Sequence, residues 1–249
     1  MYRYIILAMS CLFLSCKEAS VNKLTAQQII DKSIEASGGH LLNQREVSFV
    51  FRNVLYKRSR SKMGKVLERI FKKDSNQIRD VYSPKGFVRY VNNEPVSLAD
   101  STTRKYQNSI NSVHYFAYLP EGLNDKAVIK KLLGETQIKE AYYYVVEVTF
   151  NEEDGGDDFD DVYLYWFNKE SFKADYLAYQ FSVNDGGVRF REAYNERIIN
   201  GIRFVDYKNY GEDGDASVYE VEEKFIQQRI PLKSSIILED IKVSQDSYN

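Results

Sequence analysis

Ala141-Tyr142-Tyr143-Tyr144-Val145-Val146-Glu147-Val148-Thr149-Phe150 is a run of aromatic and β-branched residues without glycine or proline, and it decides the fold. Such side chains suit a pleated, half-buried surface. Tyr142, Tyr144, Val146, Val148 and Phe150 recur at the strand period of two and share one face. Downstream, Val162 to Phe167 is a continuous apolar run, and strands are expected over 217–226 and 235–243. Asn184-Asp185-Gly186-Gly187 and Asn200-Gly201 mark hairpin turns, because these residues tolerate the positive φ that a type I′ turn requires. Upstream, Val47, Phe49, Phe51 and Leu55 fall largely on one face. Short runs follow at 65–73, 77–82 and 86–91, punctuated by turns such as Ser83-Pro84-Lys85-Gly86. Twenty Tyr and fourteen Phe against one Trp fit the same strand-rich picture.

Two helices interrupt the strands. Thr25 and Gln28 form a capping box, Leu24 and Ile29 staple it, and Ala26, Ile29, Ile30, Ser33 and Ile34 make the inward stripe before Gly38-Gly39. A second helix is predicted over 101–118, with Asp100 as N-cap, Tyr106, Ile110, Val113 and Ala117 inward, and Pro120 as the stop. Ten or so sequential antiparallel strands are too many for a flat sheet. The expected class is therefore α+β: a long antiparallel meander curled into an incomplete β-barrel, with the N-terminal helix and the second helix packed on its concave side. No repeat or linker divides the chain, so residues 24–249 are expected to form one domain.

The amino terminus has its own pattern. One positive charge in Met1–Tyr4 precedes a largely apolar stretch from Ile5 to Leu14, too short for a membrane span of about 20 residues. Residues 1–15 are expected to be a signal peptide, and 16–23 a polar tether. Cys11 falls in the discarded part, so Cys16 is left as the one mature cysteine and no internal disulfide can form.

Charge excludes several partners. The formal net charge of −2 becomes one unit more negative when Arg3 leaves with the signal, so no global field recruits nucleic acid. Residues 52–73 hold nine Lys or Arg against Glu68 alone, and 152–161 hold seven acids. Both runs are expected to be solvated hairpin tips and guarded edge strands. The acidic run lacks the alternating ligands of an EF-hand, and no metal or cofactor is expected.

Leu12-Phe13-Leu14-Ser15-Cys16 resembles the bacterial lipoprotein cleavage box, with Phe13 where Leu is usual. The resemblance implies acylation at Cys16. Asn111-Ser112-Val113-His114-Tyr115-Phe116-Ala117-Tyr118-Leu119-Pro120, Asp161 to Asn168, Arg189 to Asn195 and Asn200 to Tyr207 resemble a family of bacterial outer-membrane lipoproteins, over about residues 25–210. The capped helix followed by a curled meander is similar to the LolA-like and LolB-like lipoprotein-carrier fold. The resemblance thus implies a lipid-anchored outer-membrane protein whose concave sheet shelters acyl chains. Family members often carry a deoxyribose-phosphate aldolase label. That enzyme needs a Schiff-base Lys within eight alternating strand and helix units, which a chain with so little helix after residue 130 cannot supply.

Catalytic motifs are missing: with two His there is no H-E-x-x-H, and there is no G-x-S-x-G and no phosphate loop. As a base His114, set among aromatics, would need a carboxylate or Tyr within hydrogen-bond reach, and Asp175, Glu192 or Asp206 could supply one from the sheet. Otherwise it seats the helix, and His40 is a loop residue. The expected function is binding or carriage of a lipophilic ligand, with Tyr106, Ile110, His114, Tyr118, Tyr144 and Tyr176 as walls and an inward Arg191 as a headgroup or carboxylate anchor. Ala117 and Ala178 are the small positions expected to face the concavity. The alternatives are an accessory lipoprotein that docks through a sheet edge, and a hydrolase using His114 with nearby carboxylates. An apolar pocket above about 300 Å³ favours the first reading.

Overall fold

The computed structural model describes residues 23–151, 161–182 and 185–244. It opens with α1 (Ala26–Ala36), where the Thr25 side chain accepts from the Gln28 backbone and the Gln28 side chain accepts from the Thr25 backbone, completing the capping box. Gly38 (φ +67°) turns the chain out of the helix, and its α-carbon lies so close to the Gly201 carbonyl that a Cβ would sit 1.9 Å from that oxygen.

Six strands follow as a meander: β1 (Val47–Phe51), β2 (Val54–Ser61), β3 (Gly64–Lys73), β4 (Asn76–Ser83), β5 (Gly86–Val91) and β6 (Glu94–Val96). Helix α2 (Asp100–Ala117) then crosses to a second meander: β7 (Val128–Ile138), β8 (Ala141–Phe150), β9 (Val162–Asn168), β10 (Ala174–Phe181), β11 (Gly187–Ile199) and β12 (Ile202–Asp213). Asp100 is the first helical residue of α2; the N-cap is Ala99, which makes no side-chain cap bond. After α3 (Val221–Ile226) come β13 (Leu232–Ile236) on the second sheet and β14 (Glu239–Val243), which pairs with β1 on the first. Each sheet has seven antiparallel strands, and together they form the expected α+β half-barrel.

The meander is thus two sheets joined at a corner, and the single strand expected over 235–243 breaks there. At the corner, the Leu238 amide donates to Asp206 (3.0 Å) and its carbonyl accepts from Arg197 (3.2 Å), which holds the turn between sheets.

The strand expected over 217–226 is helical. The Ser217 side chain accepts from the Tyr219 amide (3.3 Å), opening a 3-10 turn that runs into α3. Val218, Val221 and Phe225 then share a face at a spacing of three and four, and pack with Trp166, Tyr176 and Phe190 on the outer face of the second sheet. Trp166 Nε1 donates to Glu222 at 2.6 Å, pinning the helix. The inner face of the same sheet packs on α1 through Ile29, Ile30, Val146, Tyr165, Phe167 and Leu177. Cover on both faces is why 162–167 reads as an unbroken apolar run.

The basic run at 52–73 is not wholly solvated. Arg58 and Arg69 are buried: Arg58 makes a two-bond pair with Glu121 (2.9 and 3.2 Å), and Arg69 joins the fully buried Asp80 at 2.8 Å. Arg89 also bonds Asp80 (2.6 and 2.8 Å), and Arg69 donates to Ser109 of α2 at 2.8 Å. The Tyr106 ring lies over Arg89, 3.8 Å from its guanidinium carbon. This charged cluster fastens α2 to the first sheet.

Candidate ligand-binding site

Between α2 and the inner face of the second sheet lies a cavity of about 520 Å³. Its walls come from three places. Val113, Phe116 and Ala117 project from α2, Phe51 and Arg52 from the end of β1, and Tyr163, Tyr179, Arg191, Val205, Tyr207 and Ile236 from successive strands. Leu238 contributes from the corner between sheets. Val205, Tyr207 and Leu238 are buried, whereas Arg52, Ser112 and Ser182 are exposed, so the cavity runs from a polar mouth to an apolar end. The volume falls in the range of sites that enclose one small organic molecule.

Arg191 is the charged group inside it, only 8% exposed. Its guanidinium carbon stands 4.0 Å from the centroid of Phe116 and 5.1 Å from that of Tyr179. It donates to the Tyr179 hydroxyl (3.0 Å) and to Asn209 Oδ1 (3.4 Å). Arg189, also on the lining, is engaged by Asp213 (2.9 Å) and by the carbonyls of Val188 and Glu212.

Across α2 sits a second cavity of about 240 Å³, which shares Ser112, Phe116 and Tyr163 with the first. Its lining is more ionic, with Arg58, Lys65, Glu121 and Asp125 beside His114 and Tyr118. His114 Nε2 lies 3.2 Å from the Glu68 carbonyl, and burial lowers its pKa to about 3. Its ring stacks on Tyr118 (5.6 Å) and meets Phe49 and Tyr56 edge-on. Burial likewise pushes Tyr118 well above the ordinary tyrosine value.

Among the expected wall residues, the structure brings only Arg191 to the larger cavity. His114 and Tyr118 line the smaller one. Tyr106, with Ile110 and His114, belongs to the stripe of α2 that meets the first sheet; the neighbouring face of the helix carries Val113, Phe116 and Ala117 to the cavity. Tyr144 faces inward but packs on Phe172, away from both cavities. Tyr176 and Ala178 are on the opposite face of the sheet, under Phe225 and α3, because Leu177, Tyr179 and Phe181 are the inward residues of β10.

Among the described residues no carboxylate is hydrogen-bonded to His114. Asp175 pairs with Arg203 (3.1 Å), Glu192 with Lys139 and Lys208, and Asp206 with Arg197 (2.5 Å). The imidazole is neutral, and its Nε2 is held by a backbone carbonyl. Among the described residues, no cluster of His, Cys, Asp or Glu could hold a metal, and no helix is long and apolar enough to cross a membrane. Sequence reasoning missed Phe51, Phe116 and Tyr179 as walls, whereas Val113 was on the stripe expected to face inward. Their signal was the plain period of their elements, which could not say which face was concave. Cys16 and the acids at 152–160 lie outside the described residues.

Residues 2–226 match the family described as a family of unknown function, DUF6503. The chain belongs to that family. A search of curated proteins gave no match for this DUF6503 member. Among solved structures it is similar to a LolA superfamily protein from Nitrosomonas europaea, with 15% identity, 91% of this chain and 94% of that chain covered, and a TM-score of 0.43. A DUF1329 family protein from Desulfovibrio piger gives 12%, 89%, 92% and 0.43 on the same measures. The lipoprotein LppX of Mycobacterium tuberculosis gives 9%, 64%, 88% and 0.29.

Proposed function

We propose that this chain is a non-catalytic binder or carrier of a lipophilic small molecule, tethered to the outer membrane through a lipid on Cys16. The observation that carries the reading is the cavity of about 520 Å³ between α2 and the second sheet, apolar at its buried end and open at a polar mouth. A sheet with a cavity of this kind on its inner face and a helix across it can take up an acyl or ring system without forming a covalent bond. The anchor is supported by the cleavage-box pattern before Cys16 and by the short polar stretch after it.

The test uses the full chain with Cys16→Ser, so that no lipid of its own can enter the cavity. Titration with the neutral fluorophore N-phenylnaphthylamine is expected to give saturable enhancement. Ala117→Trp should abolish it without lowering the melting midpoint, because the indole occupies existing space. Ala178→Trp, on the filled outer face, should instead destabilise by about 1–3 kcal/mol. A wild-type protein without saturable uptake, together with a destabilised Ala117→Trp variant, would overturn the reading.

A further inference from the structure

We infer that the ligand is a single-chain amphiphile with an anionic head, recognised by a polar row that crosses three strands. This rests on the cavity being a lipophile site, as proposed above. Arg191 of β11 stands directly opposite Asn209 of β12, and Asn209 directly opposite Ser234 of β13. All three line the cavity.

The donors in this row outnumber its acceptors. Asn209 Oδ1 and the Tyr179 hydroxyl oxygen accept from Arg191, and Ser234 Oγ accepts from Asn209 Nδ2 at 3.2 Å. The hydroxyl protons of Tyr179 and Ser234 and the Nη1 group of Arg191 have no acceptor among the described residues. Nor does any described carboxylate pair with Arg191, although it is more than nine-tenths buried. The one acid among the described lining residues, Asp161, accepts from Tyr163 at 3.4 Å. A guanidinium taken out of water without a counter-charge is costly, and an anionic oxygen supplied by a ligand would offset that cost. The Phe116 ring lies 4.0 Å from the guanidinium carbon, and the Nη1 group with the second Nη2 proton is left for two-point hydrogen bonding to a carboxylate or phosphate. Beyond the row, Tyr207, Val205, Ile236 and Leu238 supply the apolar end for one chain.

The experiment displaces N-phenylnaphthylamine from the full chain with Cys16→Ser, using dodecanoic acid, dodecyl phosphate, dodecanol and dodecyltrimethylammonium. The acid or the phosphate should displace at a concentration at least about tenfold below the alcohol, and the cation should be weakest. Whichever anion is tighter says whether a free fatty acid or a phosphate-bearing lipid is the source. Arg191→Met should reduce the anion to the level of the alcohol while the alcohol is unchanged, and Arg191→Lys should keep part of the preference. Equal displacement by acid, phosphate and alcohol in the unsubstituted cavity would overturn the inference while leaving the lipophile site standing, and this ranking needs no variant to fold. A preference for anions that persists in Arg191→Met would overturn the assignment to Arg191. Failure of the fluorophore itself to bind would remove the site and the inference together.

Discussion

His114 shows how burial sets the charge of a titratable residue. Its pKa falls from 6.5 to about 3, first because burial penalises the charged ring, with Arg58 and Lys65 adding to the effect against the opposing bond to Glu68. The unfolded chain therefore binds a proton between these two values while the folded chain does not. Stability is complete above about pH 6.5 and drains away as pH falls toward 3, by about 1.4 kcal/mol per unit through the middle of that window. His114→Phe should flatten this slope, measured by urea unfolding of both proteins at pH 7.5 and 5. An unchanged slope would mean that other groups carry the acid sensitivity. The residue was visible in the sequence as the one His among aromatics, but its fate depended on β3 placing a backbone carbonyl, rather than a carboxylate, opposite the ring.

At the scale of elements, the placement of α2 determines whether the cavity exists, and the Asp80 cluster determines the placement. Asp80 is inaccessible and receives three hydrogen bonds from Arg69 and Arg89, while Arg69 reaches Ser109 and Arg89 lies on Tyr106. Asp80→Ala leaves two guanidinium groups partly or wholly out of water without their acid, so it should cost about 3–5 kcal/mol. The triple replacement Asp80→Leu, Arg69→Met, Arg89→Leu should recover most of that loss, since an apolar cluster of similar volume demands no charge compensation. Chemical denaturation of the three proteins decides it, and a triple variant as weak as the single one would show that the charges hold α2 in a way packing cannot replace.

Elements whose signals are local were legible in the sequence. The Thr25 box, the Asn200-Gly201 turn (φ +46° and +83°) and the runs at 65–73, 77–82 and 86–91 all depend on neighbours within a few residues. What remained hidden was set by distant partners. In the second sheet both faces are covered, so alternation could not tell Tyr176 from Tyr179, and the concave assignment fell on the wrong side for Tyr176 and Ala178. Val218, Val221 and Phe225 fit a helix only once a sheet face requires a lid, and over so short a span the sequence alone also fits a strand. Arg191 was legible only as a condition, that it would anchor a head group if it faced inward.

For the whole molecule, the proposed acylation at Cys16, a short polar stretch before the capped helix, is testable on the intact chain. Cys16→Ser should move the protein from the membrane pellet to the soluble fraction with its melting midpoint unchanged. A variant that stayed firmly in the pellet would sink the acylation assignment.

The pairing of β14 with β1 sets a schedule on biogenesis. Val47 stands opposite Val243, so the contact that joins the first sheet to the strand leaving the second spans almost the whole described chain. Local hairpins can form as soon as they emerge, but loop closure over such a separation is slow and comes late. Leu238, which precedes β14, is also a wall of the cavity. The wall that Leu238 supplies is therefore completed only when the last strand has docked, so the cavity is among the last features of the fold to form, after the local hairpins of both sheets.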